Sequence, residues 1–120
     1  MTFESDDFFL VGEHLENCSN DEAYQRSAVG RFYYGCYWKC RNYFESKTNR
    51  RLGKKSPHKK LIDYFEGSEN KIESQIGNNL YDLKSIRIKA DYKNNFKRNS
   101  VADSKSKAKK IFDLFEYLED

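Results

Sequence analysis

Long apolar runs are missing from this chain, so no segment is suited to cross a bilayer as a helix. No secretory leader pattern opens it either, because no apolar h-region follows the start. Proline occurs once and glycine six times in 120 residues, which argues against a loop-rich β fold and against disorder. Cysteine is scarce. Cys18, Cys36 and Cys40 form no zinc-ligand pattern, and an odd count fits a reducing compartment. Cys36 and Cys40 stand four apart on one helix face and are expected to pack as small hydrophobes. There is no paired-histidine metal motif, no Gly-rich phosphate loop and no Gly-x-Ser-x-Gly. These absences predict a soluble, cytoplasmic protein without membrane contact, metal or cofactor.

What is present is charge and aromatic mass. Charged residues make up 34% of the chain, the mean hydropathy is -0.98, and nine Tyr and nine Phe carry much of the apolar share. A few large rings can build a core that aliphatics would otherwise build. The length fits one domain spanning 1–120, with no internal repeat or boundary. Net charge is only +3, yet the charge is sorted. Residues 1–25 hold seven acids and no Lys or Arg, and residues 26–60 hold eleven bases against Glu45 alone. Residues 61–83 are net -4, and residues 84–110 hold ten bases against Asp91 and Asp103. Such sorting either builds electropositive patches for nucleic acid or anions, or lets neighbouring helices neutralise each other.

Hydrophobic spacing near 3.6 recurs in every long segment. A first helix is predicted at about 6–18, with Phe8, Leu10, Val11 and Leu15 apolar. A second and longest helix starts at an N-cap, Asn20, and runs to about 47. One of its stripes is Tyr24, Ala28, Arg31, Gly35 and Trp38; the adjacent one is Tyr33, Tyr37, Cys40 and Phe44. Apolar groups on more than one face make it the central helix. Ser56 followed by Pro57 marks the start of a short third helix over 58–65, which stops at Gly67 and Ser68. The fourth helix covers about 70–92, with Ile72, Ile76, Leu80, Leu83, Arg87 and Ala90 on one stripe. A capping box at Ser100 and Asp103 opens the fifth, whose core face is Ala108, Ile111, Phe112, Phe115 and Leu118. The fold class is all-α: an antiparallel four-helix up-and-down bundle with one additional short helix.

Two arginines stand on apolar stripes. An unpartnered buried guanidinium is strongly disfavoured, so Arg87 and Arg31 should be paired or should face a cleft. Asp91 is the mate within reach of Arg87 at i+4, although Arg-then-acid is the weaker orientation. The pair is either an internal strut or a cation facing a groove. His58 sits at a helix start, where packing is its ordinary role. Arg51 precedes it by seven residues across a loop, so spacing does not set their geometry. Tyr33, Tyr34, Tyr37, Trp38 and Tyr43 interleave with Arg26, Arg31, Lys39 and Arg41. Such a mixture can stack on bases and hold phosphates, but at helical spacing it also fills cores and dimer surfaces. Asp113, Glu116 and Glu119 read as a solvated face.

The stretch YQRSAVGRFYYGCYWKCRNYF resembles the second-helix signature of the HEPN domain family. Arg26, Ser27, Ala28, Val29, Arg31, Tyr33 and Tyr34 fall where that signature has them. His58, Leu61, Ile62 and Phe65 resemble the family's next run. Leu83, Arg87, Ala90, Asp91 and Tyr92 match its Leu-x-x-x-Arg-x-x-Ala-Asp-Tyr. The resemblance covers about residues 5–120. It implies a helical bundle that pairs as a homodimer, in a toxin–antitoxin or defence setting, often beside a nucleotidyltransferase-type antitoxin. Some members are metal-independent ribonucleases; others bind RNA, nucleotides or partner proteins without catalysis. The ribonucleases carry an arginine followed within a few residues by a histidine. Arg87 matches the arginine, and Tyr92 stands where the histidine would be. Tyrosine, with a pKa of about 10, is a poor base at neutral pH. The expectation is a noncatalytic or weakly active binding module with a cleft at Arg31, Arg87, Asp91, Tyr92 and His58. One alternative is a ribonuclease using Arg87 and Tyr92, or Arg51 and His58. The other is a purely structural protein-interaction module.

Overall fold

A computed structural model describes residues 4–18, 21–92, 96–97 and 99–118, and at Tyr92 the backbone only. Five helices follow one another: α1 (Ser5–Cys18), α2 (Glu22–Thr48), α3 (Pro57–Glu66), α4 (Lys71–Tyr92) and α5 (Asn99–Leu118). No strand occurs among the described residues. The all-α bundle is therefore as expected. No described helix is long and apolar enough to cross a membrane. α2 contacts each of the other four helices, which makes it the central element. α1 packs along α2, α3 sits mainly on α4, and α4 packs along α5.

The second stripe expected for α2 is the right one. Tyr33, Tyr37 and Cys40 are buried with Ala28, Val29, Phe32 and Cys36, and Phe44 packs against this core. The first stripe divides: Ala28 and Gly35 are buried, whereas Tyr24, Arg31 and Trp38 are exposed. The reason is close approach. A Cβ on Gly35 would stand 3.0 Å from the Ser5 carbonyl oxygen and 3.2 Å from the Phe8 Cβ. α1 closes over the small residues, and the large members of the stripe stay outside. In α1 itself Leu10 is exposed, and Phe9 takes the inner place against Phe32 and Phe112, at ring separations of 5.1 and 5.9 Å.

Helix ends differ from their predicted chemistry more than from their predicted positions. Asn20 lies outside the described residues, and Asp21 precedes the first helical residue of α2. Asn49 ends α2 in the left-handed region (φ 56°), a conformation asparagine tolerates. Ser56 does occupy the cap position of α3, but at φ 49° and without a side-chain cap bond; Pro57 follows as predicted. Asn70 caps α4, its Oδ1 accepting from the backbone N–H of Ile72 and Glu73 at 2.8 and 3.1 Å. α5 begins at Asn99, so Ser100 lies inside the first turn rather than at the cap.

Neighbouring helices of opposite charge neutralise each other in places. Lys105 of α5 bridges Glu13 and Glu16 of α1, each at 3.2 Å, and Lys107 pairs with Asp82 at 3.3 Å. One ionic knot is internal. Glu73 is 1% exposed, and it accepts from Lys47 Nζ, from the Tyr43 hydroxyl and, at 2.6 Å, from Ser68 Oγ. Burial alone would raise its pKa. The bonds from Lys47, Ser68 and Tyr43, with the Lys47 charge, outweigh burial and hold it below the ordinary value. The knot ties the end of α2 to the start of α4, the two points between which α3 is strung.

Candidate functional site

The site is assembled by how α3 is delivered. Leu52 is buried and plugs the loop after α2, while Glu45 Oε2 accepts the Leu52 N–H at 3.0 Å. Ser56 then turns the chain, and Pro57 starts α3 with His58 in its first turn. α3 can seat closely on α4 because Gly77 lacks a side chain. A Cβ there would come within 2.5 Å of the Glu66 backbone nitrogen and 2.8 Å of the Phe65 Cβ. This seating aims His58 at the tyrosines of α2.

His58 stacks on Tyr37 with ring centroids 4.2 Å apart and planes 26° apart. Its Nδ1 lies 2.6 Å from the Tyr33 hydroxyl, a hydrogen bond that leaves Nε2 free of that contact. Tyr34 meets it edge-on at 6.2 Å. Arg87 of α4 closes the cluster from the other side. Its guanidinium carbon is 5.5 Å from the Tyr33 ring centre and 5.1 Å from that of Tyr34. Arg87 donates from Nε to Asp91 Oδ2 at 3.0 Å. Asp91 is thus the positioning partner of Arg87, and the terminal nitrogens are left out of that bond. Arg41 of α2 donates to the Tyr37 hydroxyl at 3.2 Å and lies 5.0 Å from the Trp38 ring centre.

Electrostatics set the protonation states. Burial, then the charges of Arg87, Lys84 and Arg41, push the His58 pKa below its ordinary value, so the ring is neutral at pH 7. Burial pushes the Tyr33 hydroxyl well above the usual tyrosine range; the Arg87 charge opposes this without cancelling it. The hydroxyl keeps its proton. Two arginines and a neutral imidazole therefore meet on one group of rings, with the Lys84 charge near enough to act on His58. The cations can accept a phosphate or another anion, while Tyr33 and Tyr37 are buried and serve to hold His58 and the guanidinium groups in place.

Of the predicted cleft residues, Arg87, Asp91 and His58 come together, and Arg31 does not. Arg31 is exposed on the solvent face of α2, so it needs no buried partner. The Tyr92 side chain lies outside the described residues. Arg51 is exposed in the loop and is not among the cations that act on His58. Spacing does not place Arg41, Lys84, Tyr33 and Tyr37 beside Arg87; only the fold brings them there. Two local signals point to them: Arg87, Lys84 and Arg41 belong to the basic blocks, and Tyr33 and Tyr37 interleave with Arg41 on α2.

An open groove of about 510 Å³ lies elsewhere, between α1, α2 and α5. Phe9, Leu10, Phe112 and Phe115 line it, and Asp6, Glu13, Asp113 and Glu116 outnumber Lys39 and Lys109 there. Its acidic rim is unsuited to phosphate, and it shares no residue with the Arg87–His58 cluster. Among the described residues no group of His, Cys, Asp and Glu is arranged to hold a metal ion. No protein-family model matches the chain, and neither does any curated protein or solved structure.

Proposed function

We propose that the chain is a HEPN-like helical module that binds RNA through the cluster of Arg87, His58, Lys84 and Arg41. The observation that carries this is the meeting of Arg87, His58 and Arg41 at Tyr33, Tyr34 and Tyr37, with the Lys84 charge acting on the same imidazole. The three resembling segments are the ones that supply Tyr33 and Tyr34, His58, and Arg87. The finer parts of the reading follow the same resemblance: an antiparallel up-and-down order for the four long helices, and a homodimer. So do a cytoplasmic toxin–antitoxin or defence setting and a nucleotidyltransferase-type partner. The test is binding of RNA and of mononucleotide by Arg87→Ala. The substitution should keep the helical fold and abolish a salt-sensitive interaction, because phosphate contacts release counterions. Absence of any RNA or nucleotide binding by the wild type at low salt would sink the proposal.

A second reading, a metal-independent ribonuclease, is favoured by one observation: the cluster holds a neutral histidine beside an arginine. In this reading His58, rather than Tyr92, takes the 2′-hydroxyl proton, and Arg87 steadies the phosphate. RNA cleavage that survives EDTA and disappears in His58→Ala would establish it. Cleavage unchanged by that substitution would end it.

A further inference from the structure

Trp38 is the only tryptophan of the chain and stands at the surface, 36% exposed. A tryptophan left in water forgoes a large apolar burial, so what surrounds it matters. Its ring meets Tyr37 edge-on, with centroids 5.5 Å apart and planes at 80°. Tyr37 in turn stacks on His58, and His58 on Tyr33. A continuous line of rings thus leads from the exposed indole into the cationic cluster. A cation borders each end: Arg41 over Trp38, and Arg87 over Tyr33 and Tyr34. The indole is therefore bordered by a guanidinium rather than by apolar side chains alone; Arg41 is steadied there by Glu45 Oε2, which accepts from its Nε at 3.4 Å, and by the Tyr37 hydroxyl. A single strand with unpaired bases offers a ring to the indole and a phosphate to the Arg41 guanidinium beside it, a combination that a purely apolar protein face lacks.

We infer that Trp38 is a base-stacking platform at the edge of this site, and that its ligand is single-stranded RNA. One unpaired base lies on the indole while Arg41 and Arg87 hold phosphates on either side of the ring line. The inference rests on the RNA-binding reading and narrows it. Duplex RNA is excluded from this contact, because its bases are not available for stacking. A mononucleotide would fill only one end of the line.

Because Trp38 is the only tryptophan, its emission reports this contact alone. The wild-type protein is titrated with a short oligoadenylate, with AMP and with inorganic phosphate. Oligoadenylate should quench the emission, and phosphate should not. Trp38→Leu, read by anisotropy of a labelled oligoadenylate, should bind about tenfold more weakly, the size of one lost base–aromatic stack. Its competition by inorganic phosphate should be unchanged. An exposed position makes the variant safe for folding, and Trp38→Phe should recover part of the affinity. Arg87-dependent binding with unaltered emission and with wild-type affinity in Trp38→Leu would overturn the platform and leave the cluster reading standing. No oligoadenylate binding at all would overturn both. Emission that changes with protein concentration and not with oligoadenylate would make the indole a contact between copies, and would overturn the platform too.

Discussion

Removing Lys47 should destabilise the protein more than neutralising the carboxylate it pairs with. The two partners of the knot are unequally placed: the Lys47 side chain is 48% exposed and that of Glu73 is 2% exposed. Lys47→Ala leaves an ionised carboxylate in the interior with only the Tyr43 and Ser68 hydroxyls. Stranding one ion of a buried pair costs about 3 kcal/mol at the lower end of the known range. Glu73→Gln keeps the shape and a hydrogen-bonding oxygen, and frees an ammonium that already reaches water. Its cost should be about 1.5 kcal/mol, the size of one hydrogen bond to a charged group. Urea unfolding followed by circular dichroism measures both. The acid limb adds a second check. The folded pKa of Glu73 is depressed, so its contribution is present above the ordinary carboxylate value and is lost as pH falls through the folded one. Glu73→Gln should flatten that limb. A loss below about 1 kcal/mol in Lys47→Ala, or a smaller loss there than in Glu73→Gln, would refute the reasoning.

Five further outcomes are expected. Gly77→Ala should cost about 1–3 kcal/mol, because its Cβ would meet the Glu66 backbone. Gly30→Ala meets nothing within 4 Å and should stabilise by about 0.5–1 kcal/mol, both read by thermal unfolding. In an NMR titration His58 should deprotonate below its ordinary pKa, facing Arg41 and three tyrosines of α2 and Lys84 and Arg87 of α4. Added phosphate should raise that midpoint, so phosphate binds more tightly as pH falls through it, and stability without phosphate is lost over the same fall. Arg87→Ala should change stability by less than about 1 kcal/mol, as for other i,i+4 pairs near the surface, while abolishing RNA binding. In the native protein only Cys18 should react with a thiol reagent; Cys36 and Cys40 are buried, and burial holds both thiols protonated.

The five helices were legible because their information is local. Period, Pro57 and the turn at Gly67 mark them without reference to anything distant. The inner face of α4 was legible for the same reason, and so was Arg87 as the charge at its edge. The Arg87–His58 meeting was not, because 29 residues separate the two and their approach depends on how α3 seats at Gly77. Spacing puts Arg31 and Trp38 on one stripe with Ala28 and Gly35 without saying which members face water; the closeness of α1 at Gly35 decides it. Glu73 sits between Ile72 and the buried Ile76, yet nothing near it in sequence announces Lys47 and Tyr43 as its partners.

α3 is the shortest helix, and it touches the central α2 far less than it touches α4. Rings join it to α2 along its length: His58 meets Tyr33, Tyr34 and Tyr37 at its start, and Tyr64 and Phe65 meet Phe44 and Tyr43 near its end. Whatever grips His58 therefore adds to the hold that Leu61, Ile62 and Phe65 already give α3 in the core. Ligation and local folding of this segment become one equilibrium, each strengthening the other by mass action. Amide hydrogen exchange in Pro57–Glu66 should slow in step with occupancy, which makes the segment a gauge of ligand concentration.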